Sequence, residues 1–418
     1  MMKLEKLIEQ EARHISSDGM YSRLKKKAWE QFLSKGLPQK KHEEFRYFPL
    51  VDLYDKDFSF QILEDPALEI LRKSFPLPQK DDCRIVFING AYCKELSVIP
   101  QDSLQILSFE EALKVYGSFI QAQWAGFLKF EKNPFSLLNA ALHQKAAFVY
   151  LAPNCSLDDP LKIYHLQSDN QRFFQPRLHI FCAKNSSLEL KFISDKSPKG
   201  SWSNQSIDIF LEAGSRLRSS GFFNEEAQQQ FRVLLKKDAH AYLSAFSKGG
   251  EIFSQTYDVR LLEEGASVCL EGANYLNGNR RVHQNCFVEH QAPNCRSEQR
   301  FKNVLDENSH ASFQAKTYIH PQAQQSDAMQ LNENLLLSDE ARIDTVPNLE
   351  IFADDVSATH GATIAQIDEE KLQYLQSRGL AKDRAENFLV RAFLKEVQVV
   401  DLQKEFEQYF DEVFHGSC

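Results

Sequence analysis

The chain has 418 residues, of which 43% are apolar and 26% are charged, and its net charge is −9 at pH 7. An acidic chain argues against a nucleic-acid partner, because phosphate binding requires clustered basic side chains. No stretch of about 18 apolar residues predicts a membrane span, and residues 1–17 lack the apolar core of a signal peptide. We therefore expect a cytoplasmic chain whose eight scattered cysteines stay reduced.

Residues 1–145 predict a mostly helical N-terminal domain. Apolar residues recur at helical spacing in two early segments, and Gly36 follows the second segment as a helix C-cap. Ser108 and Glu111 have the spacing of a capping box, which predicts the start of a further helix. The run 84–90 is an exception, because its apolar residues are typical of a short strand that enters a turn.

Residues 146–365 predict a long β-rich core. Helical periodicity disappears, and a turn residue followed by a small residue recurs at intervals of roughly 25 to 30 residues or about half that. This spacing is typical of a solenoid in which each coil contributes two strands and two turns. A β-sandwich of the same length is the alternative. The recurring small residues are Ser186, Ser215, Ala239, Ala266, Cys295, Ser309, Ala341 and Val356.

Residues 366–418 predict a C-terminal helical domain, in which Gly379 separates two segments with apolar stripes. The stripes are rich in aromatic side chains, which either dock on the β-rich core or bind a partner. These aromatic side chains are Phe388, Phe393, Phe406 and Phe410.

A dense block of motifs lies between residues 280 and 395. Its segments are 323–328, 332–337, 335–356 (which begins Leu-Leu-Leu-Ser-Asp-Glu-Ala-Arg), 359–363 (Thr-His-Gly-Ala-Thr), 367–368 and 374–379. Together they resemble the SufB/SufD family of the SUF system for iron–sulfur cluster assembly. Weaker similarities to this family occur at 36–38, 44–47, 288–290 and 297–299.

Two features are more similar to the SufD type of this family than to the SufB type. SufB-type members are expected to carry a cysteine just before the Leu-Leu stretch, where this chain has Asn332. The Thr-His-Gly-Ala-Thr segment also resembles SufD, whereas SufB-type members have acidic residues beside the histidine. The chain departs from the family pattern at Ala358, where a cysteine is frequent, and at Ala315, where a glycine is expected.

The resemblance implies a mainly β fold, with a right-handed parallel β-helix core between N-terminal and C-terminal helical domains. It implies a non-catalytic scaffold that supports cluster formation and iron acquisition. This scaffold is expected to work with a SufB-like subunit and two copies of a SufC-like ABC-type ATPase. No cofactor is expected to stay bound, although iron or a nascent iron–sulfur cluster would be held transiently at the interface with the SufB-like subunit. Because the end coils of a solenoid expose unpaired strand edges, we expect a homodimer when the chain is alone.

The resemblance also points to His360 and Gly361 as residues of the interface where clusters form. A neutral imidazole at His360 could bind iron or relay a proton, and Gly361 would let a partner's backbone approach closely. The competing explanation is a packed core histidine beside a glycine that relieves a tight corner. For docking of the ATPase, the family implies a surface in the C-terminal helices, and its candidate residues are Tyr374, Leu375, Arg378, Gly379, Phe388 and Phe393.

His283, Cys286, His290 and Cys295 have side chains that suit zinc or iron. On a strand, however, residues 283 and 286 point to opposite faces, so ordinary packing or an interface role is the stronger explanation. The sequence contains no P-loop, His-Glu-x-x-His or Gly-x-Ser-x-Gly motif. Two other classes stay open for a β-helix, a carbohydrate-active enzyme and a structural solenoid of adhesin type.

Overall fold

The computed structural model describes most of the chain. The part of the predicted C-terminal helical domain that contains Phe406 and Phe410 lies outside the described residues. The described residues are 3–15, 19–60, 75–76, 79, 82–98, 103–157, 159–167, 170–194 and 198–397. Within them the chain forms 21 strands and seven α-helices.

Two sheets face each other, and the chain winds between them, adding one strand to each sheet per coil. Sheet A contains β1 (Ser59–Phe60), β4 (Leu104–Ser108), β5 (Ala147–Leu151), β7 (Arg172–Phe174), β8 (Arg177–Cys182), β10 (Trp202–Leu211), β12 (Ala227–Leu235), β14 (Phe253–Leu261), β16 (Arg281–His290), β18 (His310–Ile319) and β20 (Arg342–Ile351). Sheet B contains β2 (Arg84–Ile88), β3 (Ala91–Tyr92), β6 (Leu161–Leu166), β9 (Ser187–Ser194), β11 (Arg216–Phe223), β13 (His240–Ser247), β15 (Ser267–Leu276), β17 (Arg296–Leu305), β19 (Ser326–Leu336) and β21 (Val356–Gln366).

The strands of successive coils stack in parallel and in register. On sheet B, for example, Leu217 aligns with Leu188 on one side and with Ala241 on the other. The result is a parallel β-solenoid of about seven turns, which confirms the predicted fold class. The β-sandwich alternative is wrong, because its sheets would be built from antiparallel neighbours.

One corner of the coils explains five of the recurring small residues, which are Ser186, Ser215, Ala239, Ala266 and Cys295. The residue before the small one has a positive φ angle at this corner, a conformation that glycine and asparagine tolerate best. The small residue that follows is buried where the chain enters sheet B, as Ser186 and Ala266 illustrate. The positive-φ residues are Asn185, Gly214, Asp238, Gly265, Asn294 and Gln325. Ser309 and Ala341 precede β18 and β20 at the opposite corner, which accounts for the half-length intervals.

Alternate side chains of each strand point into the space between the sheets and form the main hydrophobic core. In the middle coils this core is made of apolar residues such as Leu243, Val259 and Leu270. Towards β21 the interior becomes polar, since Gln299, Asn303 and other amides take the inward positions on sheet B. The solenoid therefore changes from an apolar to an amide-lined interior as it approaches its C-terminal end.

The N-terminal residues cover the outer face of sheet A and extend both sheets. Phe135 packs against Trp202 of β10 in a shared hydrophobic cluster, while β2 and β4 pair with β6 and β5. The predicted 1–145 region thus contributes strands to the solenoid as well as helices. Its helices are α1 (Lys3–Ala12), α2 (Gly19–Lys35), α3 (Leu50–Tyr54), α4 (Phe109–Phe130) and α5 (Pro134–Leu142), with 3-10 turns at Glu43–Phe45 and Lys94–Leu96.

The local signals that predicted these helices are confirmed. Ser108 and Glu111 form a reciprocal capping box at the start of α4, and Gly36 ends α2 with a positive φ of 70°. None of the helices in the described part of the chain has both the length and the apolar character that crossing a membrane requires.

Two C-terminal helices, α6 (Glu369–Ser377) and α7 (Lys382–Lys395), follow β21 directly. The buried face of α7 packs through Val390 and Leu394 on Phe246, Tyr275 and other outward-facing side chains of sheet B. The helical pair is therefore fixed to the side of the solenoid, close to its last coils.

Candidate functional site

The solenoid ends in a coil whose two strands, β20 and β21, are the last strands of their sheets. We call these strands and the turn between them, residues 342–366, the terminal coil. Within the described residues, β20 pairs only with β18, and β21 pairs only with β19. Each strand thus presents one free edge of backbone N–H and C=O groups, which is a template for pairing with another chain.

The terminal coil also exposes large apolar side chains. Phe352 is 56% exposed and Ile364 is 54% exposed, and both lie within the same coil as the free edges. The other large apolar residues exposed here are Val346 and Ile351. Large apolar side chains exposed beside free strand edges indicate a protein interaction site. The sequence pattern does not reveal these residues, because Val346, Ile351 and Ile364 occupy ordinary strand positions and Phe352 directly follows a strand.

His360 lies in the middle of β21 and is exposed. It aligns with Gln330 of β19, which is buried inside the solenoid. Neighbouring residues in a parallel ladder point to the same side of the sheet, so the imidazole faces the open end of the interior. Within the described residues His360 makes no hydrogen bond or ion pair. The packed-core explanation for this histidine is therefore wrong, and its ring is free to meet a ligand.

Gly361 and Ala358 lie on either side of His360 with different surroundings. Gly361 sits within a strand and has no positive φ, so the idea that it relieves a tight corner is wrong. A Cβ atom at this position would contact only Leu331 Cδ1, at 3.4 Å. Ala358 points to the same side as His360, two residues away, so a cysteine there would have lain beside the imidazole. The missing thiol means that a sulfur ligand next to His360 has to come from elsewhere.

Buried amides fill the interior directly beneath His360. Gln330 Nε2 donates to Thr317 Oγ1 at 2.7 Å and to the backbone oxygen of Asn348 at 3.2 Å. Gln299, one coil deeper, donates to the same Thr317 oxygen at 3.0 Å. The Oε1 atoms of both glutamines are buried without a hydrogen-bond partner in the described structure. These amides are the residues that sequence reasoning missed, because their alignment with His360 depends on register across coils.

A second row of buried amide side chains, linked by hydrogen bonds, runs towards the terminal coil. Asn274 donates to Asn303, and Asn303 donates to Asn334, each at 2.7 Å. Asn334 then donates to the backbone oxygen of Thr363 in β21 at 2.9 Å. Asn332 is buried beside this row and accepts a hydrogen bond from Asn334 at 2.8 Å. It is the position at which SufB-type members are expected to have cysteine.

The docking candidates in the C-terminal helices divide into exposed and packed residues. Tyr374 and Phe388 are each 58% exposed, and Arg378 stacks its guanidinium on the Tyr374 ring at 5.2 Å. Arg378 and Gly379 form the C-terminal cap of α6, with Gly379 at a positive φ of 92°. The half-buried Leu375 belongs to the same helix.

Phe393 differs from these residues because it packs against the solenoid. Lys302 of β17, which is nearly buried, lies 4.2 Å from the centre of the Phe393 ring. The Lys302 ammonium also pairs with Glu333 at 3.1 Å and with Glu396 at 2.5 Å. This contact fastens the end of α7 to sheet B, so Phe393 contributes to intramolecular packing, whereas Phe388 faces solvent.

The four metal-like residues identified in the sequence do not converge. His283 is on the outer face of sheet A, where its nitrogens contact Ser312 Oγ at 2.6 Å and the Glu44 backbone oxygen at 2.8 Å. Cys286 lies in the core, and His290 Nε2 contacts Ser297 Oγ at 2.8 Å. Among the described residues no three His, Cys, Asp or Glu side chains are placed to hold a metal ion.

Taken together, the fold and the terminal coil define a β-solenoid protein with helical ends, one open end of which is suited to bind another protein. Family models agree with this class and make it specific. Residues 164–393 match the SufBD core domain of the SUF system for FeS cluster assembly, and residues 2–163 match the SufBD N-terminal region. The chain belongs to the SufB/SufD family of the SUF iron–sulfur cluster assembly system.

Individual relatives extend over most of the chain. The chain is 26% identical to the iron–sulfur cluster assembly protein SufD of Escherichia coli (strain K12), covering 88% of this chain and 86% of that protein. It is 27% identical to an iron–sulfur cluster assembly SufBD family protein of Synechocystis, over 86% and 83% of the two chains. Identity to the chloroplastic protein ABCI7 of Arabidopsis thaliana is 23%, over 60% of this chain and 55% of that protein. The chain is thus SufD-like, and neither alternative class for the β-helix gains support.

Proposed function

We propose that the chain is a scaffold subunit of an iron–sulfur cluster assembly complex, in which its terminal coil docks on a SufB-like subunit. The observation that carries this proposal is the coincidence of two free strand edges, an exposed apolar surface and an unpartnered histidine in one coil. An edge pairs with a second edge, and the apolar residues add the burial that a stable interface needs. Iron and sulfide are the cargo of this interface.

In this complex His360 supplies an imidazole where the cluster forms. A neutral imidazole nitrogen is a good ligand for iron, and it can also take up a proton when a thiol becomes a ligand. This chain brings no thiol to the same spot, because Ala358 occupies the neighbouring position. The sulfur ligands therefore come from the SufB-like subunit, and iron binds only after the two subunits have met.

The C-terminal helices provide a second surface, for a SufC-like ATPase. Tyr374, Arg378 and Phe388 are exposed on a helical pair that is fixed to the solenoid by the buried side of α7. Aromatic and arginine side chains are the types most often found at the centre of binding interfaces. ATP hydrolysis is assigned to this partner, since the sequence of this chain contains no P-loop.

The same proposal places the complex in the cytoplasm and allows the isolated chain to form a homodimer. Without a SufB-like subunit, the free edges and Phe352 and Ile364 of the terminal coil would remain exposed. A second copy can cover them in the same way. Light scattering of the isolated chain at micromolar concentration tests this part, and a monomer would contradict it.

Co-purification tests the proposed complex. The full chain, tagged and expressed in its native cell, should retain both a SufB-like protein and an ABC-type ATPase, identified by mass spectrometry. Ile364→Lys should lose the SufB-like protein, whereas the matched control Val115→Lys, a comparably exposed position on α4, should retain it. Retention of neither protein by the wild-type chain would contradict the proposal.

A further inference from the structure

Gln330 has a buried carbonyl oxygen that lacks a partner. Only 1% of the residue is exposed, yet its Oε1 accepts no hydrogen bond within the described structure. The orientation of the amide is fixed, because Nε2 donates to the backbone oxygen of Asn348, which can only accept. Turning the amide over would place two oxygens against each other. An unsatisfied buried acceptor of this kind calls for a donor that is absent from its immediate surroundings.

The next side chain in the same column, one strand further towards the open end, is the imidazole of His360. His360 aligns with Gln330 in the ladder between β19 and β21, and side chains paired in this way lie about 4.8 Å apart on one face. His360 has no other hydrogen-bond partner in the described part of the chain. Gln330 Oε1 thus lacks a donor, and the neighbouring His360 ring carries an N–H without an acceptor in the described structure.

We propose that Gln330 is a positioning residue for His360. Its Oε1 accepts the imidazole N–H, directly or through one water molecule, and so fixes one tautomer of the ring. The second ring nitrogen then presents its lone pair to the open end of the solenoid, ready for iron. Histidines that bind metals usually donate their other N–H to a carbonyl, carboxylate or water in this way. This inference deepens the proposed function and rests on it for the role of His360.

The chain offers a matched control in Gln299. This residue lies in the same column one coil deeper, donates to the same Thr317 oxygen and also has an unpartnered Oε1. It does not neighbour His360. Replacing either glutamine by methionine removes a buried amide that donates to Thr317 Oγ1, so a general loss of packing should affect both variants. Gln330→Met additionally removes the hydrogen bond to the Asn348 backbone oxygen. Only Gln330→Met should change the state of His360.

The first test observes the ring itself in the full chain without partners. Long-range ¹H–¹⁵N spectra of ¹⁵N-histidine protein at pH 8 report the tautomer of each imidazole, and His360→Ala assigns the His360 signals. We expect one dominant tautomer in the wild type and in Gln299→Met, and a mixture in Gln330→Met. Gln330→Asn, which keeps a polar amide but shortens its reach, should also give a mixture. Unchanged His360 signals in both Gln330 variants would overturn the proposal.

The second test measures cluster formation in the reconstituted complex with the SufB-like subunit and the ATPase. Gln330→Met should lower the yield of iron–sulfur cluster about 10-fold, the loss typical of removing the partner of a metal-binding histidine. In the His360→Ala background the same change should cause no further loss, since it acts through that ring. A further loss in that background would contradict the proposal.

The two proposals fail in different ways. If the ring signals respond to Gln330→Met but His360→Ala leaves the cluster yield intact, Gln330 still positions the ring and the proposed role of His360 is wrong. If His360→Ala abolishes cluster formation while the NMR signals of the His360 ring are unchanged in Gln330→Met, the proposed function stands and the positioning role is wrong.

Discussion

Asn334 donates a hydrogen bond from its side chain to the backbone oxygen of Thr363 at 2.9 Å. This bond joins the row of buried amides to β21, the last strand of the solenoid. Asn334 is 1% exposed, and its Oδ1 accepts from Asn303 in the coil below. One side chain thus links the terminal coil to the interior across three successive strands. The free edge of β21 is held in place by this contact as well as by its backbone ladder.

Asn334→Leu should therefore destabilise the chain and loosen β21 in particular. The change leaves the acceptor of Thr363 and the donor of Asn303 unsatisfied, at a cost of about 1–3 kcal/mol each. Hydrogen exchange followed by mass spectrometry should show faster exchange of 356–366 in the variant than in the wild type. The matched control is Asn348→Leu, at a half-buried side chain in β20, which should leave exchange of 356–366 unchanged. Equal exchange of that segment in Asn334→Leu and wild type would refute the link.

The stability of the fold should fall steeply below neutral pH. Burial lowers the pKa of His165, His283 and His290 from the usual 6.5 to about 4. A lowered histidine pKa means that the unfolded chain takes up protons first, so stability is present above pH 6.5 and is lost between pH 6.5 and about 4. Each histidine contributes about 1.4 kcal/mol per pH unit within this window.

Urea unfolding at pH 7.5, 6.5 and 5.5 measures this dependence. The free energy of unfolding should change little between the first two values and drop between the last two. His290→Gln removes one titrating group, so its slope below pH 6.5 should be smaller by about 1.4 kcal/mol per pH unit. A free energy that is constant down to pH 5.5 would show that these histidines are not buried in their neutral form.

The two sides of α7 should respond differently to substitution. Phe388 is exposed, so Phe388→Ala should leave the melting temperature unchanged and weaken binding of the SufC-like ATPase by 2 kcal/mol or more, about 30-fold, if it is a central contact. Leu394 is fully buried against sheet B, so Leu394→Ala should cost about 2–5 kcal/mol of stability. Calorimetry of binding and thermal melting of both variants check this. Normal ATPase affinity for Phe388→Ala would place the docking surface elsewhere.

The exposed apolar residues of the terminal coil should govern association with the SufB-like subunit. Ile364→Lys places a charge where the proposed interface buries an apolar side chain, and it should weaken the interaction at least 10-fold. The melting temperature, measured at a concentration low enough for the isolated chain to be monomeric, should stay within about 2 °C, because exposed substitutions usually change stability by less than 0.5 kcal/mol. Titration by light scattering or calorimetry measures the affinity. An unchanged affinity for Ile364→Lys would show that the interface with the SufB-like subunit lies outside the terminal coil.

Much of the fold could be predicted because its signals are local. Capping residues such as Ser108 and corner residues such as Gly265 act on their own backbone, so their neighbours in sequence suffice to interpret them. The repeat of small residues also revealed two strands per coil. The pairing of β2 and β4 with the solenoid could not be predicted in this way, since the paired residues are 39 to 78 positions apart in the sequence.

The candidate site, like the fold, could be predicted only in part from local sequence. The segment around His360 was recognisable from its motif, and the structure places it on the terminal strand β21. Its alignment with Gln330 depends on the register of two strands 30 residues apart, which no local pattern specifies. The inward packing of Phe393 likewise depends on Lys302, a residue of a distant strand. Sequence reasoning therefore identified the candidate histidine, whereas the groups that surround it required the structure.

In the proposed complex, His360 assists cluster formation at the interface with a SufB-like subunit. The most direct measurement is the iron and acid-labile sulfide content of the reconstituted complex carrying His360→Ala, compared with wild type and with the control His240→Ala, an exposed histidine on the outer face of sheet B. Because His360 is exposed and unpartnered, we expect an unchanged melting temperature, normal assembly of the complex and a cluster content reduced at least 10-fold. A wild-type cluster content in a fully assembled His360→Ala complex would contradict the account.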